Sequence, residues 1–122
     1  MNTVKEKINH LNQLVLEGKA LEAFDLYYHD DVVMQENEGA TTIGKAANRQ
    51  REIEFFNSIT EFRGANVLSI AADENVSFVK WRFDYTHKDW GVRNYTQVSV
   101  QYWQNGKIIR EQFFLWKLKQ QQ

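Results

Sequence analysis

Three titratable side chains on predicted strands are suited to moving protons. Glu36 ends the short segment 32–36, where alternation places it on the same face as Met34. His87 ends a longer predicted strand and can act as a general acid or base near neutral pH. Glu111 lies in the last predicted strand, and two carboxylates that share a cavity can be pushed apart in pKa. We therefore take Glu36, His87 and Glu111 as candidate catalytic residues.

Two of these candidates, His87 and Glu111, also have a structural interpretation. His87 lies beside residues 88–90 at a hairpin end, where a histidine is commonly exposed or at a rim. Glu111 could instead be the partner of an interior Arg or Gln. Neither alternative is decided by the sequence.

Metal, thiol and phosphate chemistry have no supporting pattern. The chain has no cysteine, and His10, His29 and His87 are far apart, without His-x-His or His-x-x-x-His spacing. Neither a Gly-rich phosphate loop nor a Gly-x-Ser-x-Gly elbow occurs. We expect no metal site and no cofactor.

Composition narrows the class of protein. The chain has 122 residues, of which 43% are hydrophobic, enough for one domain with its own core. Its 15 basic and 16 acidic residues are spread along the chain, so nucleic acid is not an expected partner. No segment is apolar enough to span a membrane, and residues 1–7 lead into an amphipathic helix, so we expect a cytoplasmic protein.

Periodicity predicts a helical first half and a β-rich second half. Apolar residues at helical spacing predict helices over residues 3–17, 19–28 and 45–57, and residues 37–42 read as a polar turn. The predicted strands are 32–36, 60–72, 75–88, 92–104 and 107–119. This order indicates an α+β domain in which helices cover one face of a strongly curved antiparallel sheet that can enclose a pocket.

The periodicity of side chains assigns faces in one strand and one helix. In the predicted strand 75–88, alternation places one set of side chains against the helices: Val79, Trp81, Phe83, Tyr85 and His87. In the third helix, Ala46, Ile53 and Phe56 are available for the core. The charged residues of that helix are expected to be largely solvated; they are Arg49, Arg51, Glu52 and Glu54.

Several short motifs occur in an informative order, namely Gly18 and the segments 20–24, 27–33, 43–45 and 105–109. Together they resemble the nuclear transport factor 2-like superfamily, in particular its SnoaL-like and ketosteroid isomerase-like branch. The resemblance implies a cystatin-like α+β cone, in which three N-terminal helices pack on the concave face of a curved mixed or antiparallel sheet. It also implies a single SnoaL-like domain over residues 1–122. This fold hosts isomerases, cyclases, dehydratases, transport factors and binding subunits.

The resemblance to ketosteroid isomerases gives Glu36 the position of their general base, five residues after Asp31. The positions of the isomerases' oxyanion donors fall near Leu11 and Ser99, neither of which is the expected Tyr or Asp. Steroid isomerisation is therefore not expected.

The family's layout implies which face of the last two strands is inward, since both faces of residues 92–104 are half apolar. The odd-numbered residues would face the pocket; they include Gln97, Ser99, Gln101, Ile109, Glu111, Phe113 and Leu115. The outer face would then carry Val98, Val100, Tyr102, Phe114 and Trp116. So much apolar surface predicts a homodimer formed through the outer sheet face.

The leading functional hypothesis is a SnoaL-like pocket protein for a small, mostly apolar molecule, with cofactor-free isomerase or cyclase activity by proton transfer on a cyclic or ketone-like substrate. The expected ligand-binding residues are Met34, Phe56, Trp81, Phe83, Tyr85, Gln97, Ser99, Gln101 and Phe113. Aromatic residues of this kind are more often plain core than ligand contacts, which applies to Trp81, Phe83, Tyr85 and Phe113. The alternative is a non-catalytic binding or interaction module whose cone is filled by its own aromatic side chains.

Overall fold

The computed structural model describes residues 3–115, which form three helices and six strands. The helices are α1 (Val4–Leu16), α2 (Ala20–Tyr27) and α3 (Lys45–Asn57). The strands are β1 (Tyr28–Glu36), β2 (Thr41–Ile43), β3 (Ile59–Ala72), β4 (Val76–His87), β5 (Gly91–Gln104) and β6 (Lys107–Leu115). The end of the last predicted strand, residues 116–119, lies outside the described residues.

Helix α1 begins at a capping box. The Thr3 hydroxyl accepts a hydrogen bond from the Glu6 backbone N–H at 3.1 Å, and the Glu6 carboxylate accepts one from the Thr3 backbone N–H at 3.1 Å. This reciprocal pair satisfies backbone donors that would otherwise lack partners. The helix then buries Ile8, Leu11 and Leu14 at helical spacing against the sheet.

The six strands form one mixed sheet in the order β2-β1-β6-β5-β4-β3. Strands β3 to β6 make an antiparallel meander, whereas β1 pairs with β6 in parallel. The sheet is curved and not closed, so its inner face and the helices bound a concavity. The expected α+β cone is confirmed.

Two boundaries in the first half differ from the sequence prediction. Strand β1 begins at Tyr28 instead of residue 32, because α2 ends one residue earlier and the chain passes directly into extended backbone. Strand β2 occupies the end of the segment predicted as a polar turn, where Val33 pairs with Ile43. Tyr28 therefore belongs to the sheet, which gives its side chain an inward direction.

A bulge near the β5–β6 hairpin changes the face assignment of the last strand. Trp103 pairs with Ile108 while Tyr102 pairs with Arg110, so Ile109 is an extra residue. Ile108 is consequently fully buried in the core, and the expectation that Ile109 takes this inward position is wrong. Beyond the bulge the alternation returns to the predicted phase, with Glu111 buried.

Helix α3 is held in place by a buried amide. The Asn48 side chain donates from Nδ2 to the carbonyl oxygens of Gly44 at 2.8 Å, Thr42 at 3.0 Å and Val32 at 3.3 Å. These bonds attach the first turn of α3 to β1 and β2. They also fix the rotation of the helix, so that residues one turn after Asn48 face the concavity.

Candidate functional site

The helices and the inner face of the sheet enclose an open cavity of about 1470 Å³. Its walls come from all three helices and from strands β1, β3, β4, β5 and β6. Of the residues expected to line a pocket, the cavity contacts Glu36, Phe56, Trp81, Phe83, Tyr85, Gln97, Ser99, Gln101, Glu111 and Phe113. The cone is therefore not filled by its own aromatic side chains.

Glu111 lies at the centre of a buried hydrogen-bond network. One carboxylate oxygen accepts a short hydrogen bond from the Tyr28 hydroxyl, and the other accepts one from Gln101 Nε2 at 2.8 Å. Glu111 is 3% exposed, and Tyr28 is also buried, with its ring stacked on Phe24 at 4.4 Å. The alternative that Glu111 has a structural partner is thus correct in part, since Gln101 is that partner.

The network continues away from the cavity through Gln101. Its Oε1 accepts a hydrogen bond from the Ser77 hydroxyl at 2.6 Å, and Ser77 accepts one from Trp103 Nε1 at 2.9 Å. Each of these side chains is nearly inaccessible to solvent. Hydrogen-bonded buried networks of this kind restrict rotamers and so hold the terminal carboxylate in one position.

Burial makes the Glu111 carboxyl easier to protonate than an ordinary glutamate. Desolvation raises the pKa of Glu111 to about 7, against the hydrogen bonds from Tyr28 and Gln101, which favour the charged form. The negative charge of Glu52 adds to the rise. Desolvation and the Glu111 charge also raise the pKa of Tyr28 well above its usual range.

Glu52 on α3 is a functional candidate that the sequence analysis assigned to solvent. Its side chain lines the cavity and is half-buried, and desolvation raises the pKa of Glu52 to about 7. Within residues 3–115, no side chain forms a hydrogen bond or an ion pair with its carboxylate. Helical spacing contains the signal that was missed, because Glu52 is one turn after buried Asn48 and one turn before Phe55, which also lines the cavity.

Glu36 lines the cavity but is not desolvated. Its side chain is exposed at the end of β1, so the burial that favoured it as a base is absent. Its negative charge contributes to raising the pKa of the Tyr85 and Tyr95 hydroxyls, which are joined by a hydrogen bond of 2.7 Å. Burial is the main cause that raises the pKa of both tyrosines, and Glu36 adds to it.

His87 does not line the cavity. Its ring is 5% exposed, because the Trp90 indole stacks on it at 3.7 Å, and its Nδ1 accepts hydrogen bonds from the backbone N–H groups of Asp89 at 3.1 Å and Trp90 at 3.4 Å. Desolvation lowers the pKa of His87. The residue stabilises the β4–β5 turn, and the catalytic role expected for it lacks geometric support because His87 is not among the cavity-lining residues.

Met34 is also outside the cavity lining. It faces inward as alternation predicts, but it is buried in the hydrophobic core. In the sheet, Met34 pairs with Thr42 of β2 on one side and with Glu111 of β6 on the other. The structure thus places Met34 in the core, and its expected contact with a ligand stays a prediction. A short strand between two neighbours is covered more completely than its sequence pattern alone shows.

Two further findings concern metals and membranes. Among residues 3–115, no three His, Asp or Glu side chains are placed so that they could hold a metal ion. No helix in the described part of the chain is long and apolar enough to cross a membrane. The expected cytoplasmic location stays a prediction.

Residues 9–111 match the family of the SnoaL-like domain. The chain belongs to this family. The match spans the cavity walls from α1 to Glu111, and it confirms the resemblance deduced from the short motifs. No curated protein is a significant match to the chain.

Several solved structures share the fold of this chain. A Mesorhizobium loti protein provisionally named a SnoaL-like polyketide cyclase is 25% identical, with a TM-score of 0.83 over 91% of this chain and 97% of that one. An epoxide hydrolase of Mycobacterium tuberculosis, described as LEH-like, is 13% identical, with a TM-score of 0.71 over 90% and 80% of the two chains. A Catenulispora acidiphila protein with a ketosteroid isomerase-like fold, solved with trimethylamine, is 12% identical, with a TM-score of 0.73 over 93% and 87%.

Proposed function

We propose that this protein binds a small, mostly apolar molecule bearing a carbonyl group and moves a proton on it without a cofactor. The observation that carries the proposal is the pair of glutamates that face one cavity from different elements. Glu111 is fixed by Tyr28 and Gln101, whereas the Glu52 carboxylate has no hydrogen-bond partner among the described residues. A fixed acid and an uncommitted base suit proton transfer better than fold stability.

The two carboxyl groups divide the roles by their surroundings. Repulsion disfavours two charged carboxylates at once, so near neutral pH the pair holds one proton, and we assign that proton to the more deeply buried Glu111 and the charge to half-buried Glu52. Glu52 would remove a proton from the carbon next to the carbonyl, and the electron pair of that C–H bond would form the C=C bond of an enol. The carbonyl oxygen would take the proton of Glu111, so that the pair exchanges its protonation state.

The walls around these groups support an apolar substrate. Trp81 and Phe83 stack at 5.2 Å on the sheet side of the cavity, and Phe55 and Phe56 contribute from α3. Flat aromatic surfaces favour a ring or an extended unsaturated body, and they exclude water from the reacting carbon. In this proposal Glu36 is an exposed carboxylate of the cavity lining and not the base.

Hydrogen exchange on 2-tetralone tests this proposal, because it is an apolar bicyclic ketone with an acidic C–H bond. Deuterium incorporation at C1 in D₂O, followed by NMR, should be faster with protein than in buffer. Glu52→Gln should lower the protein-dependent rate about 100-fold, the lower range for a general base, while Glu54→Gln on the same helix should have no effect. Binding of 2-tetralone without any exchange above buffer would leave a binding protein, and full exchange in Glu52→Gln would remove Glu52 from the mechanism.

We also propose that two copies associate through the outer face of the sheet. Phe78, Tyr102 and Phe114 are 45%, 39% and 42% exposed, and they surround Val98 and Val100 on neighbouring strands. Trp116, which was expected to extend this surface, lies outside the described residues. An apolar patch of this kind on one sheet face favours self-association.

A further inference from the structure

Asn12 is a buried amide on the cavity wall without a protein partner. It lies in the third turn of α1, is 4% exposed and lines the cavity. Among the described residues, none forms a hydrogen bond with its Oδ1 or its Nδ2. Its helix neighbours Leu11 and Val15 line the same wall and are apolar.

The other buried asparagine of the chain shows what a structural amide looks like. Asn48 is 2% exposed, and its Nδ2 donates to three backbone carbonyl oxygens that join α3 to the sheet. Asn12 makes no such connection. Since burial of an amide without partners opposes folding, and a leucine of similar size would fill the same volume, fold stability does not explain Asn12.

We propose that Asn12 is a specificity-determining residue that binds an uncharged ligand group with an adjacent hydrogen-bond donor and acceptor, such as a lactam or carboxamide. The inference rests on the proposed function, since it requires that the cavity takes a small molecule. An asparagine side chain offers one acceptor oxygen and one donor NH₂ group, and in Asn12 both are buried and without a partner among the described residues. A cyclic amide pairs with both at once, whereas a ketone can satisfy only Nδ2.

Charge supports an uncharged group. Acidic residues outnumber the two basic residues, Lys19 and Arg93, in the cavity lining, and they include Glu36 and Glu52, so the cavity as a whole does not favour a carboxylate ligand. A cation would favour these carboxylates over the Asn12 amide. The neutral amide therefore selects among neutral polar groups on apolar molecules.

Three probes on one bicyclic frame separate the possible contributions. The lactam 3,4-dihydroquinolin-2(1H)-one has a donor and an acceptor, 2-tetralone has the acceptor alone, and tetralin has neither. Their affinities are measured for the wild type, for Asn12→Leu and for the control Asn9→Leu, which changes an exposed asparagine of the same helix. Ratios of affinities within each protein cancel the cost of removing each probe from water.

Asn12→Leu should weaken binding of the lactam relative to tetralin about tenfold, the effect of one to two hydrogen bonds, and relative to 2-tetralone by a smaller factor. Asn9→Leu should keep the wild-type ratios. Unchanged ratios in Asn12→Leu would overturn the role of Asn12 while leaving a small-molecule pocket intact. If none of the probes binds to the wild type, both the pocket function and this inference fail. Asn12→Ala provides the same comparison if the leucine variant does not fold.

Discussion

The indole N–H of Trp103 determines which end of the Gln101 amide faces Glu111. An indole nitrogen can only donate, so Ser77 accepts from Trp103 and must direct its own hydrogen to Gln101 Oε1. The Gln101 Nε2 group is thereby directed to Glu111 at 2.8 Å. The network thus presents only donors to the carboxylate, and it opposes the protonation that burial favours.

Removing the middle of this network should change both stability and titration. Ser77→Ala leaves the Trp103 N–H without its acceptor and frees the Gln101 amide to rotate. We expect the free energy of unfolding to fall by about 1–3 kcal/mol, the cost of buried groups that lose their partners. The pKa of Glu111 should rise further, as followed by the carboxyl carbon shift in NMR. Ser69→Ala, at an exposed position of β3, is the matched control, and an unchanged pKa in Ser77→Ala would contradict the directional argument.

The fold should be more stable in mild acid than in mild base. The pKa of Glu111 is raised from 4.5 to about 7 in the folded protein, so the folded state binds more protons than the unfolded state between these values. The free energy of unfolding therefore falls as the pH rises through this window, by about 3 kcal/mol for Glu111. Half-buried Glu52 adds a smaller effect of the same sign, whereas buried His87, whose pKa is lowered by desolvation, has an effect of the opposite sign.

Urea denaturation at pH 5 and pH 8 measures this difference. Glu111→Gln should remove most of it, because glutamine does not titrate. Asp25 and Asp73, whose pKa values are lowered by hydrogen bonds, affect stability only below this range and serve as an internal contrast. The same change in stability between the two pH values in the wild type and in Glu111→Gln would show that Glu111 is not desolvated.

The sequence was sufficient for the elements whose pattern is regular. Strict alternation in β4 correctly placed Trp81, Phe83 and Tyr85 on the cavity, and the family layout placed Gln101 and Glu111 opposite them. Both inferences depend on a side-chain period of two, which a long uninterrupted strand preserves. Glu36 at the end of β1 was placed on the correct face. The exposure of its side chain depends on neighbouring elements, which the alternation within one strand does not show.

The sequence analysis did not predict the positions of side chains that are set by a bulge, by a turn or by the packing of a helix. The bulge at Ile109 shifts the alternation of side chains by one residue. In the turn after β4, a backbone N–H group donates a hydrogen bond to His87 Nδ1 and so fixes its ring. Glu52 was assigned to solvent because of its charge, although Asn48 one turn earlier fixes the face it occupies. Asn12 was not considered because the sequence does not show whether a single polar residue on an apolar helix face has hydrogen-bond partners in the fold.

The outer sheet face should be the contact between two copies. The double variant Phe78→Lys with Tyr102→Lys introduces two charges into this patch, and desolvating them would oppose association. Sedimentation at micromolar concentration should show a dimer for the wild type and a monomer for the variant. Leu26→Lys, at a 46% exposed position of α2, should stay dimeric. A monomeric wild type would exclude the contact.

Exchange of 2-tetralone should depend on pH as a bell-shaped curve with its maximum near pH 7. Activity needs a charged Glu52 and a protonated Glu111, and both pKa values are about 7. The rate should fall in acid as Glu52 gains a proton and in base as Glu111 loses one. In Glu111→Gln the basic limb should disappear from the residual rate. A rate that rises continuously with pH in the wild type would indicate hydroxide as the base.

Glu36→Gln distinguishes the exposed carboxylate from the buried pair. The Glu36 side chain is exposed at the end of β1, whereas Glu52 is half-buried and desolvation raises its pKa to about 7. We expect this variant to retain the 2-tetralone exchange rate within about threefold, whereas Glu52→Gln loses about 100-fold. Affinity for 2-tetralone, measured in parallel by titration, should be unchanged in both variants, since glutamine keeps the shape of each side chain. Loss of exchange in Glu36→Gln with normal affinity would return the role of base to Glu36, the residue that the family resemblance favours.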